Sequence, residues 1–217
     1  MKTIVYIDGF NLYYRALRGT AHKWLNLLEL ARASLPANHQ VTRVNLYTAR
    51  VSANIDPGAP GRQATYLKAL KNVPEIFIHY GRFLAHPHIA KLTTPPKFQP
   101  AYTPSSRVNL KFAEVWKNEE KGSDVALGAH LVRDAFTGQF DAAAIITNDT
   151  DLTEPMRIVA QEAGKPIILL TPSPKPAASL TQLAHSTRHI APYLGACQFP
   201  NPIILPDGSK VHKPAGW

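Results

Sequence analysis

An α/β fold on a mainly parallel sheet is what this sequence predicts, and three observations lead there. Short β-branched and aromatic runs alternate with helical stretches from the first residues to about position 170. Two of those runs, Thr3–Ile7 and Phe140–Thr147, are compact and apolar, as buried strands are. Each stops abruptly, the first in Asp-Gly and the second in Asn-Asp, so charge follows a buried strand without a transition.

In chain order, Thr3–Ile7 is the first strand, and a helical stretch from about Asn11 into Leu35 follows, interrupted near Gly19. Val41–Val51 reads as a second strand, Arg62–Asn72 as a helix and Glu75–Leu84 as a third strand. Residues 85–106 hold five prolines, two histidines, two lysines and no acid, which predicts a basic loop, since proline opposes a regular ladder or helix. Val108–Trp116 is a further strand. Ser123–Thr137 is a helix whose apolar positions Val125, Ala129, Val132 and Phe136 keep helical spacing. Phe140–Thr147 then forms a strand, Leu152–Ala163 a helix closed by Gly164, and Pro166–Leu170 a strand. A short helix around Ser179–Ala184 and a turn at Pro-Asp-Gly close the chain.

The 217 residues suffice for one large domain. A formal charge of +9 favours an anionic partner, nucleic acid or another polyphosphate. Its distribution says more: ten of the fifteen acids lie between Glu114 and Glu162, and none between Ile76 and Ala113. Such a chain reads as an anion-binding body around a local acidic site. One cysteine, Cys197, excludes an intrachain disulfide and a thiolate-rich zinc site, and fits a reducing cytoplasm. No apolar run approaches the ~20 residues of a membrane-spanning helix, so no membrane is expected.

Asp8, Asp124 and the pair Asp149/Asp151 each fall at the carboxyl end of a strand or the start of a helix. In a parallel sheet those ends are where ligands gather, so the three segments are expected to converge. Each also has a plainer role. Asp8-Gly9 suits a turn with Asn11 capping a helix, Asp124 favours the positive end of a helix, and Asp151 with Glu154 resembles a capping box. Together they point to function, because two like charges ~4 Å apart repel by roughly 4 kcal/mol at an effective dielectric of 20. A hard divalent cation such as Mg²⁺ offsets that repulsion and leaves positions open for phosphate. Asn11 adds a neutral amide to orient a ligand. Arg50, Arg82 and Lys121 fall near the same ends and are candidates to position phosphate. Asp134 lies ten helical residues beyond Asp124, ~15 Å along the axis, too far to share an ion.

His185 and His189 have the i, i+4 spacing of a helical metal pair but lack the remaining ligands of a zinc site. No Walker A loop, GxGxxG or GxSxG is present. Tyr102 is a candidate base-stacking ring in the basic loop.

The chain resembles the NYN-domain proteins, a branch of the PIN-like metal-dependent nucleases, through YIDGFNLYY at 6–14, EEKGSDVALGAHLVRDAF at 119–136 and ITNDTDL at 146–152. The resemblance implies a Rossmann-like three-layer α/β/α fold over residues 1–172, with 173–217 an extension packed on it. It also implies metal-site carboxylates at Asp8, Asp124, Asp149 and Asp151, with Asn11 beside them. Where some relatives carry an acid further along the middle helix, this chain has His130. The expected activity is Mg²⁺- or Mn²⁺-dependent hydrolysis of RNA. The alternatives are a noncatalytic RNA-binding module and a metal-dependent nuclease or phosphatase acting on DNA or nucleotides.

Overall fold

The computed structural model describes residues 1–53, 56–93 and 111–217. Its centre is a six-stranded sheet in the order β3-β2-β1-β6-β7-β8, with every neighbouring pair parallel. The strands are β1 Lys2–Asp8, β2 Gln40–Thr48, β3 Ile76–Tyr80, β6 Ala142–Ile146, β7 Ile167–Thr171 and β8 Ser186–His189. Between β3 and β6, strands β4 Arg82–Lys91 and β5 Phe112–Lys121 form a separate antiparallel ribbon. Strands β9 Ile203–Ile204 and β10 Lys210–Val211 pair near the end of the chain.

Alternation along each strand divides the core into two layers, because successive side chains point to opposite faces. Val5 and Ile7 of β1 face α1 Gly9–Leu12, α2 Leu27–Ser34 and α3 Ala59–Lys71. Ile4 and Tyr6 face α4 Ser123–Phe136, α5 Thr153–Arg157 and α6 Ala178–Leu183. The result is the Rossmann-like three-layer α/β/α architecture that the alternation and the resemblance lead one to expect. The chain builds β1, β2 and β3 outward to one side and then returns to place β6, β7 and β8 on the other. The order therefore reverses between β1 and β6, and a crevice opens at their carboxyl ends.

Several elements differ from expectation for identifiable reasons. The first helical stretch is a four-residue α1 running into a π-turn at Tyr13–Leu17, and α2 begins only at Leu27, where the Asn26 side chain caps it. Of the stripe Val125, Ala129, Val132, Phe136 only Val132 packs against the core: Val125 is 76% and Phe136 58% exposed. Leu127, Leu131 and Ala135 are buried instead. Both stripes keep helical spacing, and the one that carries two leucines takes the interior, where each buried leucine contributes about 1.5–3 kcal/mol. Residues 85–91 continue β4 rather than entering a loop, with Pro87 opposite Trp116, since a two-stranded ribbon leaves an edge where proline owes no hydrogen bond. The rest of the expected loop, with Tyr102, and the expected strand start at 108–110 lie outside the described residues. His189 belongs to β8, so the helical spacing of His185 and His189 does not arise. Among the described residues, no helix is long and apolar enough to cross a membrane.

Candidate functional site

The crevice at the β1–β6 switch point gathers the acids that the sequence scatters. Asp8 ends β1 and is 4% exposed. Its Oδ1 accepts from the Asn11 amide at 2.9 Å and its Oδ2 from the Thr147 hydroxyl at 3.1 Å. Burial, followed by the nearby charges of Asp124 and Asp149, outweighs those two hydrogen bonds and pushes its carboxyl from 3.8 up to about 6. Asp124 lies half-buried in the first turn of α4. Its carboxyl is likewise raised, first by burial and then by Asp149 and Glu120.

Three backbone devices set these positions. Asn11 does not offer its oxygen to a ligand: that atom accepts from the Asn148 amide at 2.9 Å and ties α1 to the end of β6. Asn148 in turn accepts from the Ala177 amide at 2.8 Å, which fixes the start of α6. Asp149 caps the 3-10 turn Thr150–Leu152, accepting from the Asp151 amide at 3.1 Å. The expected capping box at Asp151 and Glu154 is thus displaced by two residues, and both Glu154 oxygens pair with Arg157. Asp151 is exposed at the rim, close enough to add to the field at Asp124.

Glu120 is a member that sequence reasoning missed. Leaving β5, it accepts from the Ser123 amide at 3.2 Å and the Ser123 hydroxyl at 2.6 Å, capping α4 from outside. Its signal was the Glu-x-x-Ser spacing ahead of the helix, which resembles a cap read backwards. Thr147 is the other omission; the signal was a hydroxyl at the last position of a buried strand.

Gly9 follows Asp8 with no room for a side chain, because a Cβ there would stand 2.7 Å from the Tyr47 carbonyl oxygen. Gly9→Ala is expected to cost about 1–3 kcal/mol in urea unfolding, as overpacking against rigid backbone does.

Among the described residues, the expected cations form no ion pair with the clustered acids. Arg50 lies over the Tyr80 ring, 5.2 Å from its centroid. Lys121 pairs with Glu119 at 2.9 Å, and Arg82 is exposed at the start of the ribbon. Among the described residues, none of Asp8, Glu120, Asp124, Asp149 or Asp151 forms an ion pair.

The same α4 face carries a second polar cluster. Asp134 is buried and accepts at Oδ2 from the Tyr6 hydroxyl at 2.7 Å and from Arg43. Its Oδ1 accepts from Arg133 through Nε at 3.0 Å and Nη2 at 2.7 Å. In register, Asp8, Tyr47 and His79 are neighbours across β1, β2 and β3, with strands ~4.8 Å apart.

The comparisons bear on what this arrangement does. No protein-family model matches the chain. It is 31% identical, over 242 aligned positions covering 100% of this chain and 75% of that protein, to 6-hydroxy-3-succinoylpyridine 3-monooxygenase HspA of Pseudomonas putida (strain DSM 28022 / S16). A crystal structure of a protein of unknown function from Vibrio parahaemolyticus RIMD 2210633 shares the fold, with a TM-score of 0.53 and 15% identity over 87% of this chain and 92% of that one.

These findings correct the expected activity. A relative of this extent named as a monooxygenase points to an oxidoreductase, and the expectation of a Mg²⁺- or Mn²⁺-dependent ribonuclease, with its hydrolase and nuclease chemistry, is overturned. The expectation of Mg²⁺ or Mn²⁺ at Asp8, Asp124, Asp149 and Asp151 falls with it: among the described residues, no group of three or more His, Cys, Asp or Glu is arranged to hold a metal ion. The physical reason lies in the hydrogen bonds. Each Asp8 oxygen and the Asp149 Oδ1 already accepts one protein donor, which leaves a lone pair for a proton but not a set of oxygens converging on one ion.

Proposed function

We propose, from the premise that the chain belongs to the family of 6-hydroxy-3-succinoylpyridine 3-monooxygenase HspA, that it is an oxidoreductase of the monooxygenase type acting on a hydroxylated nitrogen-heteroaromatic acid. The observation that carries this reading is the 31% identity, which runs through the whole chain. In 6-hydroxy-3-succinoylpyridine the ring carbon C3 already carries the acyl chain, so forming the C3–O bond breaks the C3–acyl bond. One atom of dioxygen becomes the new ring hydroxyl, the acyl chain leaves as the aldehyde, the other atom leaves as water, and a reductant supplies four electrons and four protons.

The acid cluster supports the reading by what it offers a ring hydroxyl. A carboxylate held near 6 is a base matched to neutral pH. In a pyridine hydroxylated at position 6 and oxygenated at position 3, those positions lie across the ring from each other. Removing the hydroxyl proton therefore sends electron density to the carbon that receives oxygen. In this reading Asp8 takes that proton. Asp124 and Asp149 hold the ring nitrogen side by favouring its protonated form, since like charges nearby reward any cation that enters. Asn11 and Thr147 keep the base in place.

A flavin supplies monooxygenase chemistry when bound. The residues at the switch point do not fit the pyrophosphate of its dinucleotide form. GxGxxG is absent, Asp8 itself takes the α1 amide that would meet a phosphate, and the surrounding acids repel one. The likeness to NYN-domain proteins is kept as a proposal about scaffold alone: the same strand ends carry acids, put to different chemistry.

The test is dioxygen uptake by the purified full chain with 6-hydroxy-3-succinoylpyridine and NADH, with FAD or FMN added or omitted. Substrate-dependent uptake, with one atom of ¹⁸O from ¹⁸O₂ in the organic product, is expected. No uptake under any of these conditions would sink the assignment.

A further inference from the structure

A strip of surface beside the acid cluster, between α4 and β3, is left unused by the chemistry above. The Tyr47 ring stacks on His79 with centroids 4.7 Å apart and planes 15° apart, and His130 meets His79 edge-on at 4.8 Å. The Tyr47 hydroxyl and His130 Nδ1 are hydrogen-bonded at 3.0 Å, and His79 Nε2 is bonded to Asn45 Oδ1 at 3.1 Å. Tyr47 is buried while both imidazoles are partly exposed, so the stack ends at the surface in two rings. On the same strand as His79, and two residues away, Phe77 is 49% exposed.

The charge beside these rings is unbalanced. Arg43 and Arg133 share Asp134, so one carboxylate answers two guanidinium groups. Burial holds both imidazoles below their ordinary range, which leaves them neutral at pH 7 and the excess at one positive charge. The Arg43 Nε is buried without a hydrogen-bond partner, and the Arg133 side chain is 56% exposed. An unpaired buried donor is a standing cost, which an acceptor brought by a ligand offsets.

We infer that this strip binds an aromatic or heteroaromatic carboxylate, with the ring against His79 and Phe77 and the carboxylate toward Arg43 and Arg133. The inference rests on the proposed function for its ligand class, the acid arm of the substrate. Along α4, His130 lies six residues from Asp124, ~9 Å, which is within reach of one ring carrying a short acid arm.

The probe is nicotinate, with nicotinamide as its uncharged counterpart, titrated into the full chain. Binding is read from the imidazole resonances of His79 and His130, assigned through His79→Gln and His130→Gln. Nicotinate is expected to move both resonances and to bind at least about 10-fold more tightly than nicotinamide, as charge-assisted hydrogen bonds allow. Arg133→Gln is expected to erase that preference while leaving nicotinamide affinity unchanged, and Arg133→Lys to retain part of it. Thermal melts show that each variant is folded. Equal affinity for acid and amide, or a preference untouched by Arg133→Gln, overturns the inference. Because no turnover is involved, nicotinate binding without dioxygen uptake keeps the strip and sinks the monooxygenase reading, and uptake without resonance shifts does the reverse.

Discussion

Asp8→Asn is expected to make the protein more stable at pH 8, by about 3 kcal/mol, while lowering turnover by at least about 100-fold. The carboxyl is raised from 3.8 to about 6 in the folded chain. At about 1.4 kcal/mol per pH unit, holding it ionised there costs about 3 kcal/mol. The sign follows from the direction of the shift. Well below 3.8 the carboxyl is neutral in both states and the penalty is absent, and near pH 4 little of it has developed. As pH rises from 4 to 6 the unfolded chain ionises first, and stability falls. Above about 6 the penalty is complete and constant. The amide keeps the hydrogen bonding, since its oxygen accepts from Asn11 and its nitrogen donates to the Thr147 hydroxyl oxygen. Urea unfolding at pH 4 and pH 8 reads the outcome: the two proteins converge at pH 4 and separate at pH 8, with the variant more stable. A variant less stable at pH 8 would mean that the hydrogen bonds from Asn11 and Thr147 outweigh burial and the neighbouring acids, so that the carboxyl is not raised. The exchange of stability for activity is the usual mark of a working site.

The opposite behaviour is expected at Asp134. Removing it in Asp134→Ala leaves Arg43 and Arg133 without their shared carboxylate and the Tyr6 hydroxyl without its acceptor. Breaking a buried pair from one side costs about 3–5 kcal/mol, and the partial exposure of Arg43 places the loss at the lower end. Tyr6→Phe removes a single neutral-to-charged hydrogen bond and is expected to cost about 1–2 kcal/mol. Urea midpoints of the two variants decide it; a cost at Asp134 no greater than at Tyr6 would remove the guanidinium pair from the account. Two acids with similar burial thus have opposite effects on stability, because one has cations beside it and the other has acids.

That contrast was only half legible in the sequence. Asp8, Asp124 and Asp149 were visible because each interrupts an apolar pattern at a strand or helix end, and the parallel sheet brings such ends together whatever the chemistry. The identity of the layers was visible for the same reason. The burial of Asp134 was not, since its partner Arg43 lies 91 residues away, and nothing local marks the pair. The face of α4 was misread because two apolar stripes share one period, and only packing chooses between them. The reaction itself was the least legible part: clustered carboxylates suit cation binding and proton transfer equally, and residue spacing does not separate these roles.

The β4–β5 ribbon leaves the body and returns to it at one place, where Arg82 lies opposite Lys121. Gly81 is packed so closely there that a Cβ would stand 2.8 Å from the Lys121 carbonyl oxygen and 3.1 Å from the Ser123 nitrogen. The attachment is therefore bolted to the start of the helix that carries Asp124. From Arg82 opposite Lys121 to Lys91 opposite Phe112 the ten pairs keep one register, so the described ribbon is a single unbroken arm rooted at the start of that helix.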